Sequence, residues 1–382
     1  MRSVFRIWGG ALMVAALAFL IAGCTTATPA AAPTSAPAAT PAVTQAATPA
    51  AKVAPTSTTA TQAEDKPISP AVTVKLGILP IFSAVNIYTA MEKGFFKDQG
   101  LNIDLTNFDT AAKMIAPLTT GDLEVGAGAT SAGFYNALNR GLPIKVVADW
   151  NSAVSPSTLV LVARKDLVDS GKIKDYSDLK GKTVSINAPG VFSEIILDQA
   201  LKKGGLTIKD VNQVIVPFDQ VPIAMANKSV DVSLTNEPFV TIGVSQGVHV
   251  RWKDVAELDP GREYSVIFFS PVFAKDNAEA AKRWALAYVK GVRYYRKAIL
   301  TKDGKAEMIT ILDKYAGAKP AGFYDQVVFP YSNPDGYVDQ KSVLGDLDWY
   351  VANGQVKDKP DMKAVIDNTY MDYAIQKLGK FQ

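Results

Sequence analysis

The sequence predicts a two-lobed α/β protein with a helical C-terminal segment, and three features carry that expectation. From Thr73 onward, short β-branched runs alternate with stretches of helical period. The alternation occurs twice, before and after a β-branched run at Thr158–Ala163. Beyond Phe269 only helical periods remain. Regular β-α alternation implies largely parallel, doubly wound sheets with helices on both faces. About 310 residues follow the low-complexity region, enough for one large domain or two lobes.

The chain opens with Arg2 and Arg6, an apolar run from Ile7 to Ala22, and then Gly23-Cys24. The run is short for a membrane span, which needs about 20 residues. A charged start, an apolar stretch and small residues before a cysteine resemble a bacterial lipoprotein signal over residues 1–23. The resemblance implies cleavage before Cys24, lipid on its thiol, and a mature chain held on the extracytoplasmic side of the cell membrane without a span of its own. Residues 24–71 combine that cysteine with Ala, Thr, Pro, Ser and Val, almost uncharged before Glu64. Such a segment cannot bury a core and reads as a disordered tether, reaching on the order of 40 Å as a flexible coil.

In the first block the strands are expected at Thr73–Leu79, Asn102–Thr106, Leu123–Ala127 and Ile144–Ala148. Helices are expected near Ala84–Lys93, Ala111–Thr119 and Ser131–Asn139. The second block gives strands at Thr183–Ile186, Val214–Val216, Asp231–Leu234 and Val248–Trp252, with helices at Glu194–Lys203, Val221–Asn227 and Pro238–Gln246. After Tyr264–Phe269 come helices Ala278–Ile299, Ala306–Tyr315, Gly322–Val328, Asp339–Val351 and Met362–Leu378. With Thr158–Ala163 and Tyr264–Phe269 as the crossing strands, lobe 1 comprises 72–162 plus 265–382 and lobe 2 comprises 163–264.

Composition narrows the chemistry. The formal charge is +3, and loss of Arg2 and Arg6 leaves +1. Near-neutrality without a basic run argues against a nucleic-acid partner. A single cysteine, taken by lipid, excludes disulfides, a CxxC redox pair and thiolate zinc sites. His249 is the only histidine, which excludes His-rich metal sites and leaves acid/base catalysis few candidates. No cofactor is expected.

The segment YTAMEKGFFKDQGLNIDL, containing Tyr88-Thr89-Ala90, Gly94-Phe95-Phe96 and Gly100-Leu101, resembles the first helix-loop-strand of ABC-transporter solute-binding proteins. The group in question binds sulfonates, taurine, nitrate, thiamine-precursor pyrimidines and, in some members, riboflavin. Leu118–Gly128, Gly141-Leu142-Pro143-Ile144-Lys145, Asp178-Leu179-Lys180-Gly181-Lys182, Val230-Asp231 and Glu237-Pro238 continue the likeness in order. It covers about residues 72–300. It implies the type II periplasmic binding protein fold: two α/β lobes, two crossovers and a ligand in the cleft. It also implies a permease and an ATPase as partners, the latter a separate subunit because no Walker sequence is present. Members that synthesise the thiamine pyrimidine rely on a cysteine cluster and histidines, which this chain lacks, so it is not expected to be an enzyme.

Independently of that likeness, ligands in open α/β sheets bind beyond the carboxyl ends of strands and at helix N-termini. The segments placed there carry Phe82 and Ser83, Thr130 and Ser131, Trp150 and Asn151 in one block. The other block supplies Asn187, Phe192, Ser193, Asp219, Asn236, Glu237 and Phe239. Two helix N-termini facing each other can hold an anion or polar head group. Phe82, Trp150, Phe192 and Phe239 can sandwich a planar ring. Each has a plainer alternative: a core phenylalanine, a helix cap at Thr130 or Ser131, a helix start at Glu237-Pro238. The loops hold hydroxyls and amides but no arginine, although Arg164 and Arg262 lie near the crossings. That balance favours a neutral planar heterocycle, riboflavin first and a thiamine-type pyrimidine second, with a sulfonate, taurine or nitrate as the alternative. An extracytoplasmic enzyme or a non-transport sensor on the same fold is the alternative of another class.

Gly243-Val244-Ser245-Gln246-Gly247 matches G-x-S-x-G, but a nucleophile elbow needs a strand before the serine and a helix after it. The expected order here is the reverse. Gly126-Ala127-Gly128 begins like a dinucleotide fingerprint, with Ser131 at the third glycine position. Arg293-Tyr294-Tyr295-Arg296 reads as a surface and partly packed stripe on a long helix.

Overall fold

A computed structural model describes residues 66–382. The lipoprotein signal, Cys24 and most of the tether lie outside the described residues. No helix among the described residues is long and apolar enough to cross a membrane.

Ten strands form two five-stranded sheets among the described residues. They are β1 (Val72–Ile78), β2 (Leu101–Asn107), β3 (Val125–Gly128), β4 (Lys145–Ser152), β5 (Leu159–Arg164), β6 (Thr183–Ile186), β7 (Asn212–Ile215), β8 (Val232–Asn236), β9 (His249–Asp254) and β10 (Glu263–Phe269). The first sheet runs β2-β1-β3-β10-β4 and the second β7-β6-β8-β5-β9. Strand composition follows position. β10 (EYSVIFF) and β5 (LVLVAR) are interior strands, buried along their whole length and largely apolar, with polar residues only toward one end of each. Edge strand β2 alternates buried and open positions and carries Asn102, Asp104 and Thr106, polar residues that blunt a free edge.

Two expectations are corrected. The sheets are mixed, because β10 runs antiparallel to β3 and β4, and β5 antiparallel to β8 and β9. Nor does either proposed crossing strand cross. β5 lies wholly in the second sheet and β10 wholly in the first. The chain passes between lobes in the segments 153–158 and 255–262 instead. The β-branched run at Thr158–Ala163 could not reveal this, since an interior strand has the same apolar content in either sheet.

The first sheet's core is closed by the 21-residue helix Ala278–Ala298, which buries Trp284, Tyr288 and Tyr295. It lies tight against helix Val85–Glu92. A Cβ at Gly291 would sit 2.6 Å from the Ala90 Cβ and 2.8 Å from the Asn86 carbonyl oxygen. Gly291→Ala is therefore expected to push the two helices apart at a cost of about 1–3 kcal/mol, read as a lowered denaturation midpoint. An unchanged midpoint would mean that the pair does not need this close approach.

The remaining chain forms helices Lys302–Ala316, Gln340–Ala352 and Thr369–Leu378. The helix expected over 322–328 is reduced to one 3-10 turn at Phe323–Asp325, and the helix expected from Met362 begins at Thr369 after a separate 3-10 turn at Met362–Ala364. Between them the chain runs beside β4, with bridges Ser152↔Tyr331 and Val146↔Ile366. These bridges cover the edge that β4 would otherwise expose.

Candidate functional site

Loops at the carboxyl ends of β1, β3 and β4 meet those after β6, β7 and β8 at a narrow slot of ≈ 60 Å³. That is room for a few waters. Lobe 1 contributes Leu79, Ile81, Gly128, Ala129 and Trp150, with Tyr264 and Ser265 from β10. Lobe 2 contributes Leu159, Asn187, Phe192, Ser193, Phe218, Leu234 and Asn236. Glycine at 128 is a matter of space: a Cβ there would fall 2.4 Å from that of Ala111.

The slot shares Leu79, Ile81 and Phe218 with a wider mouth of ≈ 260 Å³. Asn107, Asp109, Asp219 and Phe239 stand at that mouth. The interior is apolar, partly aromatic and uncharged, and its rim is largely apolar with Asn107 and two carboxylates, Asp109 and Asp219, among its residues.

Trp150 is fixed by its indole N–H, which donates to the Asn86 Oδ1 at 3.3 Å. Asn86 in turn donates to the Ser332 hydroxyl at 2.9 Å. Across the slot the Phe192 and Tyr264 rings stack at 6.2 Å and 28°. The Tyr264 hydroxyl shares a 2.9 Å hydrogen bond with Thr158, and burial pushes its pKa up to about 12. Two lining hydroxyls, on Ser193 and Ser265, are buried without a hydrogen-bond partner.

Of the residues expected from sequence, Trp150, Asn187, Phe192, Ser193 and Asn236 line the slot, and Asp219 and Phe239 the mouth. The others are turned to structural tasks. Phe82 stacks on Tyr324 at 5.6 Å and 11°, away from the slot. Ser83 donates to the Asn236 Oδ1 at 3.4 Å, and its carbonyl accepts from Asn151 at 3.4 Å. Thr130 donates to Asp346. Ser131 caps helix Ala132–Asn139 by accepting from the Phe134 N–H at 3.1 Å. The two helix N-termini do meet, but the Ala132 N–H is spent on the Gly190 carbonyl at 2.9 Å.

Glu237 is fully buried, accepting from Arg251, from Thr241 and, at 3.5 Å, from the Val328 N–H. Its burial raises the carboxyl's pKa although Arg251 and these donors pull the other way. Its carbonyl accepts the Phe82 N–H at 3.0 Å, a second main-chain link between the lobes.

No charged side chain lines the slot. Arg164 is held by Asp166 and Asp231, and Arg262 by Asp259 and Asp346, so neither faces the cavity. Leu79, Ile81, Leu159 and Leu234 went unremarked in the sequence because an apolar residue at a strand end reads as core. Tyr264 was hidden in a strand taken for a crossing.

The elbow-like Ser245 is exposed at a helix end and donates to the Ile242 carbonyl at 2.9 Å. A Cβ at Gly243 would fall 2.0 Å from the His249 ring, so this glycine makes room for the histidine. Burial lowers the pKa of His249, and its Nε2 donates to the Val240 carbonyl at 2.9 Å. No group of three or more His, Cys, Asp or Glu among the described residues is placed to hold a metal ion.

The chain is 24% identical over 309 residues to the nitrate/nitrite binding protein NrtA of Nostoc sp. (strain PCC 7120), covering 75% of this chain and 68% of that protein. It is 26% identical over 246 residues to the riboflavin-binding protein RibY of Chloroflexus aurantiacus, covering 63% of this chain and 66% of that one. It thus spans about two thirds of the length of these relatives. The solved periplasmic nitrate-binding protein NrtA from Synechocystis PCC 6803 shares the fold at a TM-score of 0.68 and 17% identity, over 82% of this chain and 90% of that one. This is the two-lobed type II periplasmic binding protein fold. The family described as NMT1/THI5 like matches residues 82–298, and the chain, whose helix-loop-strand motif at Tyr88–Leu101 and cleft loops fall within or beside that span, belongs to the NMT1/THI5-like family.

Proposed function

We propose that this chain is the substrate-capturing receptor of an ABC importer, anchored through lipid on Cys24 outside the cytoplasmic membrane, and that its cargo is a neutral planar heterocycle. Riboflavin is the foremost candidate and a thiamine-type pyrimidine the second. The observation that carries this reading is the uncharged aromatic slot, with every nearby arginine already held by a carboxylate. A desolvated nitrate or sulfonate would leave its charge unpaired there, which is costly. A flat ring finds Trp150, Phe192, Phe218 and Tyr264, and its polar edge finds Asn187, Asn236, Ser193 and Ser265. A hydroxylated tail would point through the mouth toward Asn107, Asp109 and Asp219. The lobes part to admit such a ligand, since the slot is far below the 300–1,000 Å³ usual for a small-molecule site. Binding energy then works by favouring the joined lobes over the separated ones.

A thermal-shift panel tests the reading with riboflavin, a hydroxymethyl pyrimidine, thiamine, taurine, an alkanesulfonate and nitrate. A ligand at a hundred times its dissociation constant adds about 2.7 kcal/mol, a shift of several degrees. The expected result is a shift with one heterocycle that Phe192→Ala abolishes. A shift with taurine, alkanesulfonate or nitrate alone would overturn the neutral cargo.

A further inference from the structure

The C-terminal segment beyond residue 298 lies outside the family match, yet it touches both lobes. Helix Gln340–Ala352 packs on helix Ala132–Asn139 and β10 in lobe 1 and on helix Phe192–Lys203 in lobe 2. We propose that this helix and the turn after it form a latch that sets the balance between joined and separated lobes, with Trp349 and Gln355 as its positioning residues.

The latch has a fixed base and a polar tip. At the base, Tyr350 is fully buried and packs against Tyr135 at 5.8 Å. Trp349 meets Tyr350 edge-on at 5.3 Å. The Gln355 carbonyl accepts from Asn136 of lobe 1 at 2.9 Å. At the tip, the Trp349 indole N–H donates to the Asp198 Oδ2 at 2.7 Å, and the Gln355 Nε2 donates to the Glu194 Oε2 at 2.7 Å.

Glu194 and Asp198 are four residues apart on one lobe-2 helix, so they share a face. Both acceptors are carboxylates, which makes the two bonds charge-assisted. Around them remains a cavity of ≈ 190 Å³ lined by Leu197, Leu201 and Ile208. The lobes are therefore joined on this flank by polar tips around a gap, a contact that can be made and broken without tearing a core. The inference concerns the lobes alone and holds whichever ligand the cleft takes.

Hydrogen exchange on the full chain, without ligand, is the test. The amides of Phe82 and Ala132 bond across the cleft to the Glu237 and Gly190 carbonyls at 3.0 and 2.9 Å, so their protection reads the joined fraction. Trp349→Phe keeps the ring and removes the donor. It is expected to speed exchange at Phe82 and Ala132 about tenfold, the equivalent of one hydrogen bond to a charged group, and to leave the amides of β3 and β10 unchanged.

Asp198→Ala should match it, and the double variant should add little, since the same inter-lobe bond is lost either way; the Asp198–Lys202 pair that the alanine also removes lies within one lobe-2 helix. Asp198→Asn, whose amide oxygen still accepts, should restore protection. Unaltered exchange at Phe82 and Ala132 in both Trp349→Phe and Asp198→Ala would overturn the latch. So would a rise shared equally by β3 and β10, which is general loosening.

Discussion

Arg262→Met is expected to cost about 3–5 kcal/mol of stability near neutral pH, the usual penalty for removing one partner of a buried ion pair. The guanidinium sits in the second passage between lobes with its side chain only 10% exposed. It pairs with Asp259 at 2.6 Å and with Asp346, and lies 5.4 Å from the centre of the Phe192 ring. Asp346 is fully buried and also accepts from Thr130, beside the slot. Methionine would preserve the apolar stem while leaving Asp346 charged and uncompensated.

Burial already raises the pKa of Asp346, although Arg262 and Thr130 oppose it. Without Arg262 the folded carboxyl would hold its proton more tightly still. A group whose folded pKa exceeds its unfolded one contributes stability at low pH that is lost as pH rises, so the defect should be smaller at pH 5 than at pH 8. Denaturant titrations at the two pH values measure this. Arg262→Met/Asp346→Leu should recover most of the loss, because a buried pair can be replaced by apolar residues of similar volume at little cost. Equal losses at both pH values, or no recovery in the double variant, would show that the pair does not hold this junction.

The contrast between Glu237 and Trp150 shows what the sequence could and could not convey. The sequence places both just beyond a strand of the α/β pattern and in reach of ligand, although Trp150 stands within β4. Trp150 does line the slot, whereas Glu237 turns inward to Arg251 and Thr241. The difference depends on Arg251, which lies on β9 and reaches Glu237 only once β5 has brought β9 and β8 into one sheet. Periodicity located all ten strands because each is a short run with a local signature. The passages between lobes had no such signature, because what decides them is which sheet an interior apolar strand joins. Phe82 lies off the slot for a related reason: its stacking partner Tyr324 is more than 240 positions away, in a segment that is a turn where the sequence predicts a helix. The aromatic, arginine-free character of the slot was legible, because it depends on which residue types the cleft loops contain, whereas the withdrawal of Glu237 and the place of Asp219 at the mouth were not.

A second large effect is expected from Glu263→Gln, which should make the protein more stable than the parent at pH 8 and little different at pH 5. Asp149 on β4 and Glu263 on β10 are both buried, and their carboxyls are close enough for each to act on the other's titration. The Asp149 carboxylate also accepts from the Asn333 N–H at 2.6 Å and from the Ser152 hydroxyl at 2.9 Å. Glu263 accepts from the Asp339 N–H at 3.1 Å through its Oε2, and its buried Oε1 finds no donor. The Asp339 carboxylate adds a third negative charge nearby, and no basic side chain lines the adjoining cavity.

Burial above all, and then Asp149, pushes Glu263 well above the usual carboxyl range. Burial lifts Asp149 from 3.8 to about 6. For Asp149 alone such a displacement is worth on the order of 3 kcal/mol. Because both pKa values are raised, this contribution is present in full below about pH 4, where unfolded carboxyls are protonated, and is lost as pH rises through 6 and beyond.

Glutamine stays neutral at every pH, as the buried Glu263 carboxyl does only in acid. Its Nε2 can donate to Asp149 while its Oε1 accepts the Asp339 N–H. Denaturation midpoints across pH 5–8 should therefore fall in the parent and stay nearly level in Glu263→Gln. Glu263→Ala, which also strands the Asp339 N–H, should lose stability at pH 5. A glutamine variant weaker than the parent at pH 8 would mean that the two carboxyls do not repel one another there. The restraint that Asp149 and Glu263 place on the loop 331–339 would then have to come from its backbone donors alone.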